Sequence, residues 1–370
     1  MASMTQVLTA GEATDVRSTG AGVYAGIDTH ADTHTVAVIT AAGAQLAVEQ
    51  FDTTAAGYAA LAAWLLGFGP VLGVGIEGTG SYGSALCSYL QALEVVLYEV
   101  NRPDRATRRA KGKSDPIDAL AAADAARSGR AAAIPKDRTG TVEAIRLQLI
   151  ARRSAEQDAA KALNRIHAVI GTAPATLRDS LRDLPRAALL TTLTGLRPDP
   201  TRLHEPDQGA KHVLRALARR VRDSRAEITT IDQILADLVQ RANPRLLPIH
   251  GVGPFTAALL LTTAGANPER ITTEAKFAML TGTAPIPVSS GKTDRHRLNR
   301  GGDRQANRAI HAIVLTRKAH DPRTKAYLAD RLNPKASNKT DLTRTLKRYV
   351  AREIYKALIP PTTTSRQTAA

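Results

Sequence analysis

The 370-residue chain has a single cysteine, few aromatic residues and no long apolar run. With only Cys87, neither a disulfide within the chain nor a cysteine-based metal cluster can form. No segment approaches the roughly 20 uninterrupted apolar residues that a membrane-spanning helix needs. Residues 1–20 lack the basic start and apolar stretch of a secretory signal. We therefore expect a cytoplasmic protein with no membrane partner, a disordered leader over 1–20 and a disordered tail over 359–370.

Acidic residues are also scarce relative to basic ones. Fifty Lys and Arg stand against 34 Asp and Glu, which gives a formal net charge of +16. The excess is concentrated, since residues 291–356 hold 18 basic and 6 acidic side chains, and residues 102–113 hold 6 basic side chains and one acid. Proteins that are merely soluble usually intersperse the two signs, whereas concentrated positive charge is typical of nucleic-acid binding. The composition therefore favours a nucleic-acid-binding protein.

Residues 21–140 have the pattern of an α/β domain. The segments "VYAGIDT", "HTVAVIT" and "AQLAVEQF" predict three consecutive strands. A helix over "AAGYAALAAWLL", a buried strand "VLGVGIE", a helix through Leu93, a strand "EVVLYEV" and a helix beginning near Ser114 follow. A doubly wound sheet would need a helix after its first strand, so this order predicts a mixed, ribonuclease-H-like sheet covered by helices.

Residues 141–242 predict a helical spacer with coiled-coil character. One long helix covers "TVEAIRLQLIARRSAEQDAAKALNRIHAVI", and a second begins near Lys211. An apolar stripe with alternating spacings of three and four runs along the second helix, interrupted by one serine. Its members are Leu214, Leu217, Val221, Ser224, Ile228, Ile231, Leu235 and Leu238. The stripe fits packing against the first helix and pairing between subunits equally well.

Residues 243–358 predict a third, mainly helical domain. In "LLPIHGVGPFTAALLL", Gly251 and Gly253 form a tight turn before an apolar helix, which resembles a helix-hairpin-helix element. Backbone N–H groups at such a turn are suited to binding phosphate, and the arginine-rich stretch that follows is suited to contacting a nucleic-acid backbone. The predicted nucleic-acid contacts are Arg102, Arg105, Arg108, Arg109, Lys111, Lys113, Gly251, Gly253, Lys292, Arg295, Arg297, Arg300, Arg304 and Arg308.

Four acidic residues lie where the predicted sheet would bring them together. Asp28 is on the first strand, Glu77 ends the fourth, and Asp115 and Asp118 share one face of the next helix. Converging carboxylates stay ionised when cations lie between them. Oxygen ligands suit Mg²⁺ or Mn²⁺, which activate phosphodiester oxygens. Each acid alone has an ordinary explanation, but the set predicts metal-dependent phosphoryl transfer.

Two histidines, His30 and His34, flank the hairpin that follows the first strand. A role as metal ligands fits their position. Solvent-facing side chains are the more usual explanation, and that is our expectation.

Five segments carry a resemblance to a known family. "YAGIDTH", "GIEGTGSYG" and "KSDPIDA" resemble the Asp-Glu-Asp-Asp (DEDD) signature of transposases of the insertion sequence 110 family, whose N-terminal domain is similar to RuvC Holliday-junction resolvases. "IHGVGPFTAALLL" and "TGTAPIPVSSGKTDRHRLNRGGDRQANRAIHAIV" resemble the C-terminal transposase domain of that family. The resemblance implies a RuvC-like DEDD domain at 21–140, a transposase domain with a catalytic serine at 243–358, and a bacterial, nucleoid-associated protein.

The resemblance also implies an activity. A DNA recombinase of this kind excises and inserts its own mobile element, and its four acids bind divalent metal. A serine of "VSSGK" forms a covalent phosphoserine link with DNA; we expect Ser290, with Ser289 as the alternative. A noncoding bridge RNA that pairs with donor and target DNA is implied as a partner, as is a homo-oligomer, a dimer that assembles into a tetramer.

Two other functions fit parts of the pattern. One is a resolvase-type, metal-dependent nuclease that cuts branched DNA with activated water, and the other is a noncatalytic nucleic-acid-binding scaffold. A serine hydroxyl needs an activating base or metal, and no histidine lies at a recognisable triad spacing from Ser290. Metal held by the acids is therefore the expected activator. The chain has no GxxxxGK[ST] phosphate loop, so we expect no nucleotide cofactor.

Overall fold

The computed structural model describes residues 22–100, 114–288, 296–331 and 339–359. The chain forms two compact units, Met1–Arg138 and Thr139–Ala370. Within the described ranges, we find no helix with the length and apolarity that crossing a bilayer requires. The predicted leader, the basic stretch 102–113, the segment with both candidate serines and the tail beyond residue 359 lie outside these ranges.

The first unit is a mixed α/β sheet, as predicted. Its elements are β1 (Val23–Thr29), β2 (Thr33–Thr40), β3 (Gln45–Asp52), α1 (Ala55–Leu66), β4 (Val71–Glu77), α2 (Ser84–Ala92), β5 (Leu97–Val100) and α3 (Asp115–Arg127). The strands lie in the order β3-β2-β1-β4-β5. β1, β2 and β3 form an antiparallel meander, whereas β4 is parallel to both β1 and β5. The predicted element order is therefore confirmed, although β5 is shorter than the sequence indicated.

One face of this sheet carries the apolar core of the unit. Side chains alternate between faces along a strand, so Ile27 of β1 and Ile76 of β4 point to the same side and are fully buried. They pack with Leu61 of α1 and with Leu86 and other apolar residues of α2.

The opposite face of the sheet is covered by α3. Gly26 of β1 pairs with Gly75 of β4 on this face. A β-carbon at Gly26 would lie 2.1 Å from the carbonyl oxygen of Ala119, and one at Gly75 would lie 2.3 Å from the carbonyl oxygen of Ala122. Glycine within a strand often marks such a close approach of another backbone. The helix therefore rests directly on the two central strands.

The second unit is mainly helical, which confirms the class expected for the C-terminal part. Its elements are α4 (Gly140–Thr172), α5 (Ala175–Leu181), α6 (Arg186–Gly195), α7 (Pro206–Ala242), α8 (Pro254–Ala264), α9 (Glu274–Leu280), β6 (Ile286–Pro287), β7 (His296–Arg297), α10 (Arg304–His320), α11 (Pro322–Arg331) and α12 (Lys339–Leu358). One apolar core joins the C-terminal half of α7 to α8, α10 and α12. A second core joins α4, α5 and α6 to the N-terminal half of α7.

The apolar stripe of α7 packs against other helices of the same chain. α4 and α7 pack along each other, and Arg152 of α4 donates from Nε to Oδ1 of Asp232 on α7 over 2.6 Å. Ser224 is buried with most of the stripe, while Ile228 and Leu238 are half-buried. Packing between the two long helices thus accounts for the stripe. Pairing between subunits and a coiled coil in the strict sense stay predictions.

Candidate functional site

Asp28 and Glu77 lie at the same level on neighbouring strands. β1 and β4 are parallel and pair Ile27 with Ile76, so the next residue of each strand is one of these acids. Because side chains alternate, both acids belong to the face that carries the paired glycines and α3. Their side chains are largely buried, each residue being 7 % exposed.

The other two predicted acids lie in the first turn of α3. Ser114 is the N-cap residue, and its carbonyl accepts a hydrogen bond from the N–H of Asp118 over 3.0 Å. Asp115 is half-buried and Asp118 is buried. Acids in the first turn are favoured by the helix dipole. Because α3 lies on the glycine face, this turn lies over the same face of the sheet as the strand acids.

The structure brings two of the four acids and one histidine close together. His30 lies between Asp28 and Asp115, with its Nδ1 3.7 Å from Oδ2 of Asp28 and its Nε2 3.9 Å from Oδ1 of Asp115. One ligand atom from each of the three residues lies within 4.8 Å of the other two. Such separations are compatible with shared ligation of one divalent cation, given metal–ligand distances of about 2.0–2.6 Å. Glu77 and Asp118 lie on the same face, outside this group of three.

His30 was expected to face solvent, and the structure adds that it lies close to two of the acids. It follows Asp28 by two positions, and alternation along an extended chain brings residues two apart to one side. The two-residue spacing can be read from "DTH" in the sequence. The path of the backbone after the strand, which decides where the His30 ring lies, cannot. His30 is partly exposed, with 41 % of its side chain accessible, so it sits at the entrance of the acidic group rather than in the core.

The expectation that His34 faces solvent is wrong. It lies on β2 on the same face as Val36 and Val38, which pack into the apolar core, and it is completely buried. Its ring stacks on Tyr58 with the centroids 5.8 Å apart. Burial lowers its pKa below the ordinary histidine value, the Thr33 backbone hydrogen bond opposes this, and His30 lowers it further. His34 is therefore a neutral core residue.

The turn after β4 is fixed by its own hydrogen bonds. Thr29 donates from Oγ1 to the carbonyl of Glu77 over 3.0 Å, and Thr79 donates from Oγ1 to Oε1 of Glu99 over 2.8 Å. Gly78 has a φ of 65°, a left-handed conformation that favours glycine. A β-carbon there would also lie 2.7 Å from Oγ1 of Thr29. These contacts hold the end of β4, and with it the backbone of Glu77, against β1.

In the second unit, four of the predicted nucleic-acid contacts are exposed arginines. Arg297 lies on β7, Arg300 lies in the following loop, and Arg304 and Arg308 lie on the first turns of α10. Among the described residues, none of the four forms a salt bridge within the chain. Their charge is therefore available to a polyanion. The other basic residues predicted to contact nucleic acid, and Ser289 and Ser290, lie outside the described residues.

The predicted glycine turn has the expected backbone. Gly251 has a φ of 84°, and Gly253 is the N-cap residue of α8. However, the N–H of Val252 donates to the carbonyl of Ile249, and the N–H of Gly253 donates to Oγ1 of Thr256. Two of the amides proposed to hold a phosphate thus already have acceptors within the chain. The phosphate site stays a prediction.

Comparison with known protein families places these residues in two matched regions. Residues 25–173 match a transposase family model carrying the DEDD signature and the IS110 designation, and residues 243–329 match one described as transposase IS116/IS110/IS902 family. The chain belongs to the IS110 family of transposases. No curated protein matches it.

This IS110-family chain is therefore a DNA-processing enzyme of transposition. The first matched region contains all four predicted acids and His30, and extends into α4 of the second unit. The second region contains the glycine turn, both candidate serines and the exposed arginines. The DEDD signature and the group of ligand atoms together suggest use of a divalent metal.

Proposed function

We propose that this transposase excises and inserts an insertion sequence through a covalent phosphoserine intermediate, formed by metal-assisted attack of a serine on the DNA backbone. The observation that carries the proposal is the group of Asp28, His30 and Asp115 on one face of the first unit, beside Glu77 and Asp118. The strand order β3-β2-β1-β4-β5 supports a ribonuclease-H-like, RuvC-like assignment for residues 21–140.

The residues present fit a divalent cation. Carboxylate oxygens and imidazole nitrogens are common ligands of divalent cations in proteins, and ligand atoms of Asp28, His30 and Asp115 lie within 4.8 Å of one another. Asp28, Asp115 and His30 would hold the ion, with Glu77 and Asp118 as further ligands or as acceptors for its bound water. When bound, such an ion polarises a phosphodiester oxygen and favours attack at phosphorus.

The serine step conserves the energy of the DNA backbone. The Oγ–P bond forms as one backbone P–O bond breaks, the Oγ proton leaves, and the released DNA hydroxyl takes up a proton. Attack by a DNA hydroxyl on the phosphoserine reverses these changes and joins new ends. The exchange therefore needs no nucleotide hydrolysis. Ser290 is our candidate for the nucleophile, and Ser289 is the alternative.

The remaining parts have roles consistent with this chemistry. We infer that residues 141–242 act as a helical spacer and 243–358 as the transposase domain, with the exposed arginines on β7 and α10 contacting DNA phosphates. Phosphate contacts give affinity without reading sequence. A bridge RNA that pairs with donor and target DNA would supply the sequence choice, and a tetramer would supply several sites at once.

The test is a strand-exchange assay with the full-length protein, Mg²⁺, a plasmid carrying the joined element ends, and the RNA transcribed from the element end. We expect exchange and an SDS-resistant DNA–protein adduct. Ser290→Ala and Asp28→Asn should each abolish both, and Ser180→Ala, at an exposed serine of α5, should change neither. If removing both Ser289 and Ser290 leaves metal-dependent nicking intact, the enzyme is a water-using nuclease. If function is unchanged by Asp28→Asn, the chain is a scaffold.

A further inference from the structure

Lys347 on α12 is a buried lysine without a carboxylate partner among the described residues. It is 9 % exposed, and its Nζ donates to Oδ1 of Asn307 on α10 over 2.5 Å. The arginines around it on the same helix are paired: Arg344 with Asp341, and Arg348 and Arg352 with Glu274. A buried ammonium group that has only a neutral acceptor is costly. A negatively charged ligand would therefore stabilise the ammonium group of Lys347.

Two more basic side chains lie beside Lys347. Lys318 of α10 donates from Nζ to Oγ1 of Thr343 on α12, again a neutral acceptor. His311, one turn after Asn307, is an exposed residue whose pKa is lowered, first by partial desolvation and then by the charges of both lysines. Burial likewise lowers the pKa of Lys347. We call this set, formed by Asn307, His311, Lys318, Thr343 and Lys347, the α10–α12 cluster.

Asn307 also connects the α10–α12 cluster to the turn before β6. Asn307 donates from Nδ2 to the carbonyls of Thr281 and Gly282, over 2.9 and 3.0 Å. This orientation leaves Oδ1 of the amide to Lys347. The cluster is thereby tied to the turn that leads into β6, and so to the segment of chain that leads toward the candidate serines.

We propose that the α10–α12 cluster binds a backbone phosphate of nucleic acid. A phosphodiester supplies the missing negative charge, and its oxygens accept hydrogen bonds from ammonium, imidazole and hydroxyl donors. The site is distinct from the exposed arginines of β7 and the start of α10, because it lies between two helices and is built partly from buried groups. The inference rests on the proposed function only in taking the polyanion to be nucleic acid.

The experiment measures binding of the full-length protein to a 30-base-pair duplex and to a single-stranded RNA of the same length as salt is varied. Each lost phosphate contact should reduce the slope of log K against log salt by about 0.7 to 0.9. Because the cluster is proposed to bind one phosphate, we expect Lys347→Met and Lys318→Met each to reduce the slope, and the double variant to reduce it by about 0.7 to 0.9 in all, with at least one of the two nucleic acids. Whether the slope falls with the DNA duplex, with the RNA or with both identifies the nucleic acid that supplies the phosphate.

Lys276→Met is the matched control. Lys276 is exposed and donates from Nζ to Oγ1 of Thr272, which is the same type of contact that Lys318 makes. Lys276→Met should leave the slope unchanged. Lys318→Arg keeps the positive charge and should retain the wild-type slope. If Lys347→Met fails to fold, Lys318→Met carries the test.

An unchanged slope with both nucleic acids in Lys318→Met and in every folded variant of Lys347 would overturn the inference. Wild-type protein that binds neither nucleic acid would instead overturn the proposed function.

Discussion

Gly26 and Gly75 lie side by side on parallel strands, and the backbone of α3 covers both of them. The helix is thereby brought closer to the sheet than any side chain at these positions would allow. Asp115 opens this helix, and Asp28 follows Gly26 by two residues on the same face. The two glycines thus set the distance at which the helix acid meets the strand acid.

Replacing either glycine should therefore destabilise the first unit and disturb the acidic group. For Gly26→Ala the new β-carbon would meet backbone atoms of Ala119 and Ala123 at 2.1 Å, and overpacking of this kind costs about 1–3 kcal/mol or more. Urea unfolding followed by the fluorescence of Trp64, the single tryptophan, reports on this unit. Gly171→Ala, which meets nothing within 4 Å on helix α4, is the control. An unchanged midpoint in Gly26→Ala would show that the helix does not rest on the sheet as described.

His30 should alter the metal preference of the site. Imidazole favours later transition metals, whereas carboxylates suit Mg²⁺. We expect Co²⁺ and Mg²⁺ each to raise the melting temperature of the first unit, and His30→Ala to weaken Co²⁺ binding, measured by calorimetry, much more than Mg²⁺ binding. Asp28→Asn should weaken both. Asp32→Asn, in the same hairpin but exposed, should weaken neither. Equal losses for the two metals in His30→Ala would mean that the imidazole does not bind the ion.

The order of elements and the positions of the four acids could be predicted because they follow from local pattern. Apolar alternation and turn residues identified the strands, and Ser114 followed by "DPID" identified the start of α3. The glycines at 26 and 75 were also a usable signal, since glycine within a strand indicates close backbone approach. The sequence did not show that α3 is the element that approaches these glycines, because that depends on the tertiary fold.

Helices α5 and α6 were not predicted, for a different reason. They are 7 and 10 residues long and begin after Pro174 and Pro185, and helices this short are not stable alone in water. Leu177 and Leu189 hold them in the core shared with α4 and α7. The place of His30 and the burial of His34 likewise depended on contacts between segments distant along the chain.

Acid should destabilise the first unit through His34. Its pKa is lowered in the folded state by burial, so below a pH of about 6.5 the unfolded chain binds a proton that the folded chain does not. The free energy of unfolding therefore falls as the pH drops through this range. His34→Phe keeps the stack on Tyr58 and should make the Trp64 unfolding midpoint less sensitive to pH between 7.5 and 5. His212→Phe, at an exposed histidine of α7, should not. Identical pH profiles for wild type and His34→Phe would contradict this account.

Cys87 should be unreactive until the first unit opens. It is 3 % exposed on α2, and burial, with the charges of Glu99 and Asp137 and against that of Arg138, raises its pKa to about 12. The thiolate is the reactive form, so at pH 8 a disulfide reagent should label almost no native protein, and one equivalent per chain after unfolding in urea. The labelling rate in native buffer then measures opening of the sheet. It should rise in Gly26→Ala, because that substitution destabilises the first unit, and stay low in Gly171→Ala. Rapid labelling of native wild-type protein would show that the thiol is not buried in the core between α2 and the sheet.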